Sequence, residues 1–187
     1  MKYLIAGLGN IGAEYENTRH NIGFKVLDAF AKASSAVFNS DRYASVAQIK
    51  YRGNQVTLIK PSTFMNLSGK AVSYWMKQEK IPLENIIICV DDLALPFGSI
   101  RIRANGSEAG HNGLKNITEL LGTQNYARLR FGIGNQFAKG AQVNFVLGKW
   151  SAEELEVINT RTELTTNALF SFITDGIQRT MNAYNGK

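Results

Sequence analysis

Residues 86–92, Ile-Ile-Ile-Cys-Val-Asp-Asp, decide the fold class of this chain. The run begins with five apolar side chains and leaves no polar face, a pattern typical of a strand that helices cover on both sides of a sheet. It ends at Asp91 and Asp92, so two carboxylates are expected at the end of a central strand. Cys89 lies inside the run, and we expect it to be a buried, inert thiol.

The segments on either side of this strand alternate between the period of a strand and that of a helix. Further strands are predicted over residues 2–6, 99–103 and 128–133, with a hairpin over 43–60 that turns at Gly53 and Asn54. Helices are predicted from about residue 21, over 68–77, around 114–121 and after the capping box that begins at Ser151. This interleaving predicts an α/β fold: a single domain over residues 1–187, with one mixed twisted sheet covered by helices on both faces.

The composition is that of a globular protein with a basic surface. With 187 residues, 44% of them hydrophobic and 19% charged, a disordered chain is excluded. A lone cysteine, no apolar run long enough for a membrane span and no signal peptide predict a soluble, cytoplasmic protein. The net charge is +6, and residues 1–150 carry 18 Lys and Arg against 10 Asp and Glu, which favours an anionic partner such as nucleic acid.

Gly7, Gly9 and Gly12 form a G-x-G-x-x-G pattern directly after the first predicted strand. A dinucleotide site would also need a helix that starts within the motif and an acidic residue about 20 positions further on, at the end of a second strand. The next helix is delayed to about residue 21, and Asp28 and Asp41 fall in a helix and a loop. The pattern therefore favours a tight turn over a nucleotide cofactor.

The chain has only two histidines, His20 and His111, and both lie in polar loops. A neutral imidazole is well suited to accept a proton near neutral pH when a carboxylate fixes its tautomer. Asp91, at the end of the central strand, is the expected partner of His20. A zinc site built from the two histidines, Asp91 and Asp92 is the alternative, but no ligand-pair spacing supports it, and we predict no metal.

Three asparagines follow predicted strands or precede helices: Asn10, Asn66 and Asn112. Capping and turn roles are the alternative for each of them. As a set, neutral amides that both donate and accept can hold a carbonyl, orient a water and stabilise an oxyanion. The G-x-S-x-G motif of serine hydrolases is absent, so a histidine base would act on water as the attacking group.

These motifs, in this order and spacing, resemble those of the bacterial peptidyl-tRNA hydrolases, esterases that free tRNA from prematurely released peptidyl-tRNA. The resemblance covers nearly the whole chain and rests on Asp91 and on residues 7–10, 18–21, 60–69, 110–114, 128–130 and 146–149. It implies a monomeric, metal-independent enzyme of translation without a cofactor, whose partner is the 3′ end and acceptor region of peptidyl-tRNA. The alternative is a non-catalytic RNA-binding module on the same scaffold.

The resemblance also implies a role for each candidate site residue. His20 would be the general base, and Asp91 would support its basic form. Asn10 would help to distinguish a blocked from a free amino acid, while Asn66 and Asn112 would bind the 3′ end of the substrate and position water or the oxyanion. Further substrate contacts are expected at Tyr15, Phe64, Met65 and His111, and contacts to tRNA phosphates at Arg103 and Arg130.

Several positions depart from the pattern of the family. Ile11 replaces a proline after Asn10, and Val90 and Ala94 replace a histidine and an acidic residue near Asp91. Residues 105–109, Asn-Gly-Ser-Glu-Ala, replace a glycine-rich lead into His111, so we expect a lid loop of altered mobility and charge. None of these changes removes a predicted catalytic group.

Overall fold

The computed structural model describes residues 1–187 and has the α/β architecture that the sequence predicts, with a seven-stranded sheet in the order β2-β3-β4-β1-β5-β7-β6. The strands are β1 (Lys2–Gly7), β2 (Asn39–Asp41), β3 (Ala44–Tyr51), β4 (Asn54–Pro61), β5 (Ile86–Asp92), β6 (Ile100–Arg103) and β7 (Ala127–Gly132). The helices are α1 (Ile22–Ala33), α2 (Ser68–Gln78), α3 (Asn112–Leu121), α4 (Gln142–Val146), α5 (Ala152–Asp175) and α6 (Ile177–Tyr184). None of these helices combines the length and the apolar character needed to cross a lipid bilayer.

The inner strands of the sheet set the position of the site. Strands β4, β1, β5 and β7 run parallel, whereas β2, β3 and β6 pair antiparallel with their neighbours. The carboxyl ends of the parallel strands, at Gly7, Pro61, Asp92 and Gly132, therefore lie along one edge of the sheet. Loops that leave this edge are where binding groups of an open α/β sheet are found.

Two hydrophobic cores flank the sheet, and β5 contributes to both. Ile87 and Cys89 pack with residues of α1 and α5, whereas Ile86, Ile88 and Val90 pack with residues of α2 and α3. This double coverage is the physical reason for the unbroken apolar run. Cys89 is fully buried, and burial raises the pKa of its thiol, as expected for an inert cysteine.

Three details differ from the sequence prediction. The β3–β4 hairpin turns at Arg52 and Gly53, whose φ angles of 46° and 79° are those of a type I′ turn, and Asn54 already belongs to β4. The additional edge strand β2 consists of exposed polar residues that carry no strand pattern. The C-terminal helical region is divided by Gly176, which has a φ of 83° that a helix does not accommodate.

The glycine pattern after β1 allows α1 to pack closely on the sheet. A Cβ atom on Gly7 would overlap the carbonyl oxygen of Gly23, and one on Gly9 would lie 2.8 Å from the ring of Phe24. The start of α1 therefore occupies the space directly over this loop. The glycines serve chain packing, in agreement with the interpretation as a tight turn.

Candidate active site

The side chains of His20 and Asp91 meet at the carboxyl end of β5. Nδ1 of His20 lies 2.9 Å from both carboxylate oxygens of Asp91, so the predicted hydrogen bond is present. His20 belongs to a short 3-10 turn, Arg19–Asn21, that leads directly into α1. The turn therefore holds the backbone of His20, and Asp91 holds its ring.

The environment of Asp91 keeps its carboxyl ionised. Only 4% of this residue is exposed, and burial alone would raise its pKa, but the charges and hydrogen bonds of His111 and His20 outweigh burial and lower the pKa. For His20, burial would lower the pKa, but the charge and hydrogen bond of Asp91 raise it above the ordinary value of 6.5. The site therefore contains a histidine with a raised pKa next to a carboxylate that stays ionised.

Both ring nitrogens of His111 are used within the protein. Nδ1 accepts hydrogen bonds from the backbone N–H groups of Gly113 (3.1 Å) and Leu114 (3.3 Å), and so caps α3. Because Nδ1 accepts, the ring proton sits on Nε2, which donates to Oδ1 of Asp91 over 2.9 Å. The ring therefore orients Asp91, and His111 also lines the cleft that contains His20.

These contacts assign the tautomer of His20. An ionised carboxylate only accepts, so Nδ1 of His20 must carry the proton that it shares with Asp91. In the neutral ring, Nε2 is then the unprotonated nitrogen. A histidine held in this tautomer has its free lone pair on the side away from the carboxylate, as a general base requires.

The same protons disfavour a metal ion at this cluster. The ligand atoms of His20, Asp91 and His111 lie within 4.8 Å of one another, which is close enough for a shared ion. A metal on Nε2 of His111 would, however, drive the ring proton onto Nδ1. There it would face the two backbone N–H groups that cap α3, and the cap would be lost.

Asn10 is held by two neighbours on different elements. Its backbone N–H donates to Oδ1 of Asn21 (2.8 Å), and Nδ2 of Asn21 donates back to the carbonyl of Asn10 (2.9 Å). Oδ1 of Asn10 accepts from the backbone N–H of Met65 (2.7 Å), which leaves its Nδ2 as the remaining donor group. Asn21 had no predicted role; it lies next to His20 in the sequence, but its pairing with Asn10 depends on the fold.

The other predicted substrate residues differ in exposure. Asn66, in the 3-10 turn before α2, and Asn112, the first residue of α3, are both exposed. Met65 is buried, its side chain packs in the core, and its backbone N–H donates to Asn10.

Two of the predicted substrate residues, Tyr15 and Phe64, carry aromatic rings that contact each other. Phe64 is 52% exposed, and its ring meets that of Tyr15 edge-on, with the centroids 6.4 Å apart. This arrangement leaves the ring of Phe64 open to solvent. An exposed ring of this kind can stack on a nucleotide base.

A cleft of about 200 Å³ contains the His20 cluster. Val143 and Val146 of α4 line it together with Asp91 and His111. Arg19 connects α4 to the turn that carries His20, because its guanidinium stacks over the ring of Phe145 at 4.5 Å and donates to the carbonyl of the same residue. The helix next to the cleft is thereby linked to the turn that carries His20.

The two arginines expected at tRNA phosphates occupy different environments. Arg103 is exposed on the edge strand β6. Arg130 is only 8% exposed; it donates to the carbonyl of Ser107 over 2.7 Å and lies 3.8 Å from Asp92. Arg130 thus holds the loop ahead of His111, and it also lines the cleft that contains His20.

Arg128 reinforces this anchor, a role that the sequence analysis did not predict. Its fully buried guanidinium donates to the same Ser107 carbonyl (3.1 Å) and to the carbonyls of Gln124 and Tyr126. The strand pattern of β7 could not show this, because the loop over residues 104–111 folds back onto that face of the sheet.

Comparisons with known proteins agree on one family. The family model described as peptidyl-tRNA hydrolase matches residues 4–187. A peptidyl-tRNA hydrolase of Phocaeicola vulgatus is 60% identical over 187 residues, covering all of both chains, and one of Porphyromonas gingivalis is 54% identical over 185 residues, covering 99% of this chain and 100% of its own. The crystal structure of peptidyl-tRNA hydrolase from Acinetobacter baumannii has a TM-score of 0.92 at 32% identity, and the match covers 98% of this chain and 94% of that one.

Proposed function

The chain belongs to the peptidyl-tRNA hydrolase family, and we propose that His20, oriented by Asp91, is the general base with which it hydrolyses peptidyl-tRNA. The bond cleaved is the ester between a peptidyl or N-blocked aminoacyl group and the 3′-terminal ribose of tRNA. Nε2 of His20 is the free basic nitrogen at this site, and this single observation carries the assignment of the base.

The reaction needs water, a base and donors for the oxyanion. Nε2 of His20 removes a proton from a water molecule as the water oxygen bonds to the ester carbonyl carbon. The carbonyl oxygen becomes an oxyanion, and Asp91 stabilises the imidazolium that has formed. The bond to the ribose 3′ oxygen then breaks, and His20 returns the proton to that oxygen. The products are a peptide with a free carboxyl group and a tRNA with a free 3′ hydroxyl.

The exposed amides of Asn66 and Asn112 supply hydrogen bonds to the substrate. Each offers donors to the developing oxyanion and acceptors to the attacking water or to the ribose hydroxyls. Support for this role comes from their position: both are exposed, Asn112 lines the cleft with His20, and Asn66 lies in the 3-10 turn before α2.

Asn10 gives the site its preference for blocked amino groups. Its Oδ1 is engaged by Met65, so the free Nδ2 presents only N–H groups. These can donate to the carbonyl of a peptide or formyl group. A free α-ammonium carries donors and a positive charge but no carbonyl, so it cannot satisfy Asn10.

The tRNA part of the substrate contacts aromatic rings and an arginine side chain. Phe64 and Tyr15 suit the terminal adenosine, because unpaired bases stack on exposed aromatic side chains. Arg103 suits a phosphate of the acceptor region and adds affinity without reading sequence. We place the enzyme in the cytoplasm, where translation produces peptidyl-tRNA, and expect it to act as a monomer because all of the proposed groups lie in one chain.

Deacylation in the presence of a chelator tests this function. The protein is incubated with N-acetyl-aminoacyl-tRNA and, separately, with the unblocked aminoacyl-tRNA. The proposal predicts selective hydrolysis of the blocked ester and no loss of activity in EDTA. Salt-sensitive binding without hydrolysis of either ester would instead indicate a non-catalytic RNA-binding module, and loss of activity in EDTA would indicate a metalloenzyme.

A further inference from the structure

Helix α2 begins at Ser68, two residues after Asn66, yet no side chain of its own segment caps it. Its N-cap position is Leu67, which offers no acceptor, and the backbone N–H groups of a first helical turn have no partner within the helix. One of them, the N–H of Gly69, donates instead to Oδ1 of Asn116 over 2.7 Å. Asn116 belongs to α3, so one helix supplies the cap of the other.

The contact requires a glycine at position 69. A Cβ atom on Gly69 would lie 2.6 Å from the carbonyl oxygen and 2.7 Å from Oδ1 of Asn116, so only glycine permits the approach. Asn116 stands one helical turn after Asn112, while Gly69 stands three residues after Asn66. The hydrogen bond therefore links the segments that carry the two exposed asparagines.

We propose that Asn116 is a positioning residue that sets Asn66 relative to Asn112. This inference rests on the proposed roles of those two amides. A shift of α2 along α3 would separate them, and a displacement of about 1 Å in a positioned catalytic group can cost on the order of 10²-fold in rate. The side chain of Asn116 prevents that shift without contacting the substrate.

Asn116→Ala removes the acceptor, and Asn116→Asp keeps it, because a carboxylate also accepts from a helix N-terminus. We expect kcat for N-acetyl-aminoacyl-tRNA to fall on the order of 10-fold in the alanine variant, with a smaller change in KM, and to recover most of its value in the aspartate variant. Glu119→Ala, on the exposed surface of the same helix, is the control and should leave both constants unchanged.

A double-variant cycle separates positioning from a general loss of stability. If Asn116 acts through Asn66, adding Asn116→Ala to Asn66→Ala lowers kcat no further, at a temperature where thermal unfolding shows every variant to be folded. Full additivity of the two losses, or a wild-type kcat in Asn116→Ala, would overturn the inference. If the wild-type protein hydrolysed neither ester, the proposed function itself would fail, which is a different result.

Discussion

His20 and Asp91 lie 71 positions apart in the chain, yet Nδ1 of the histidine is 2.9 Å from both oxygens of the carboxylate. Parallel pairing of β1 with β5 produces this contact, since the loop after β1 and the end of β5 then share one edge of the sheet. The carboxylate also accepts a hydrogen bond from Nε2 of His111, so two histidines hold it in place. The geometry makes the carboxylate a rigid support for the ring of His20.

Replacement of the base should nearly abolish turnover. His20→Ala removes Nε2, and loss of a general base generally costs roughly 10²-fold or more in rate. Affinity for tRNA should persist, because the proposed phosphate and base contacts lie on other residues. Single-turnover hydrolysis and filter binding measure the two properties, and an unchanged turnover would remove His20 from the mechanism.

The pH dependence should report on Asp91. His20 acts in its neutral form and its pKa is raised, so kcat/KM in the wild type should fall as the pH drops through a value above 6.5. Asp91→Asn removes the charge that raises this pKa. We expect the acid limb of the profile to move to lower pH, together with a lower plateau. A limb at the same pH in both proteins would contradict the assignment.

Much of the fold was predictable because burial leaves a periodic trace in the sequence. The run at residues 86–92 and the apolar spacing of α1 follow directly from packing on both faces of the sheet. The strand β2 left no trace, since its residues are polar and exposed. The burial of Arg130 was equally hidden, because it depends on a loop that returns to the sheet.

The residues of the site also divide into those that could be predicted from the sequence and those that could not. Residue type and loop position were enough to select His20, Asp91 and the three asparagines as candidates. The support given by Asn21 and Asn116 was out of reach, because each hydrogen-bonds to the backbone of a distant segment. Backbone partners leave no signature in the side-chain pattern.

The two functions of His111 can be separated by substitution. Asn at an N-cap accepts backbone hydrogen bonds, so His111→Asn should keep the free energy of unfolding within about 1 kcal/mol of the wild type. It loses the donor to Asp91, and kcat should fall. His111→Leu loses the cap as well and should be less stable by about 1 kcal/mol more. Urea denaturation and steady-state kinetics measure these effects; wild-type kcat in His111→Asn would show that the contact with Asp91 is dispensable.

Salt dependence distinguishes the two arginines. Each phosphate contact contributes roughly 0.7 to 0.9 to the slope of log affinity against log salt concentration, so Arg103→Ala should flatten the slope by about that amount. Arg52→Ala, in the exposed β3–β4 turn, is the charge-matched control and should leave the slope unchanged. Arg130→Ala should lower activity more than it changes the slope, because its guanidinium is bound to Ser107. An equal flattening in Arg130→Ala would place it among the phosphate contacts.

The protonation of the two imidazole rings can be observed by ¹⁵N NMR of the histidine side chains at pH 8, with His111→Asn used to assign the signals. The hydrogen bonds predict opposite tautomers: His20 protonated on Nδ1 with a free Nε2, and His111 protonated on Nε2 with an unprotonated Nδ1. If His20 instead carried its proton on Nε2, it would have no lone pair there to accept a proton from water, and its assignment as the base would be wrong.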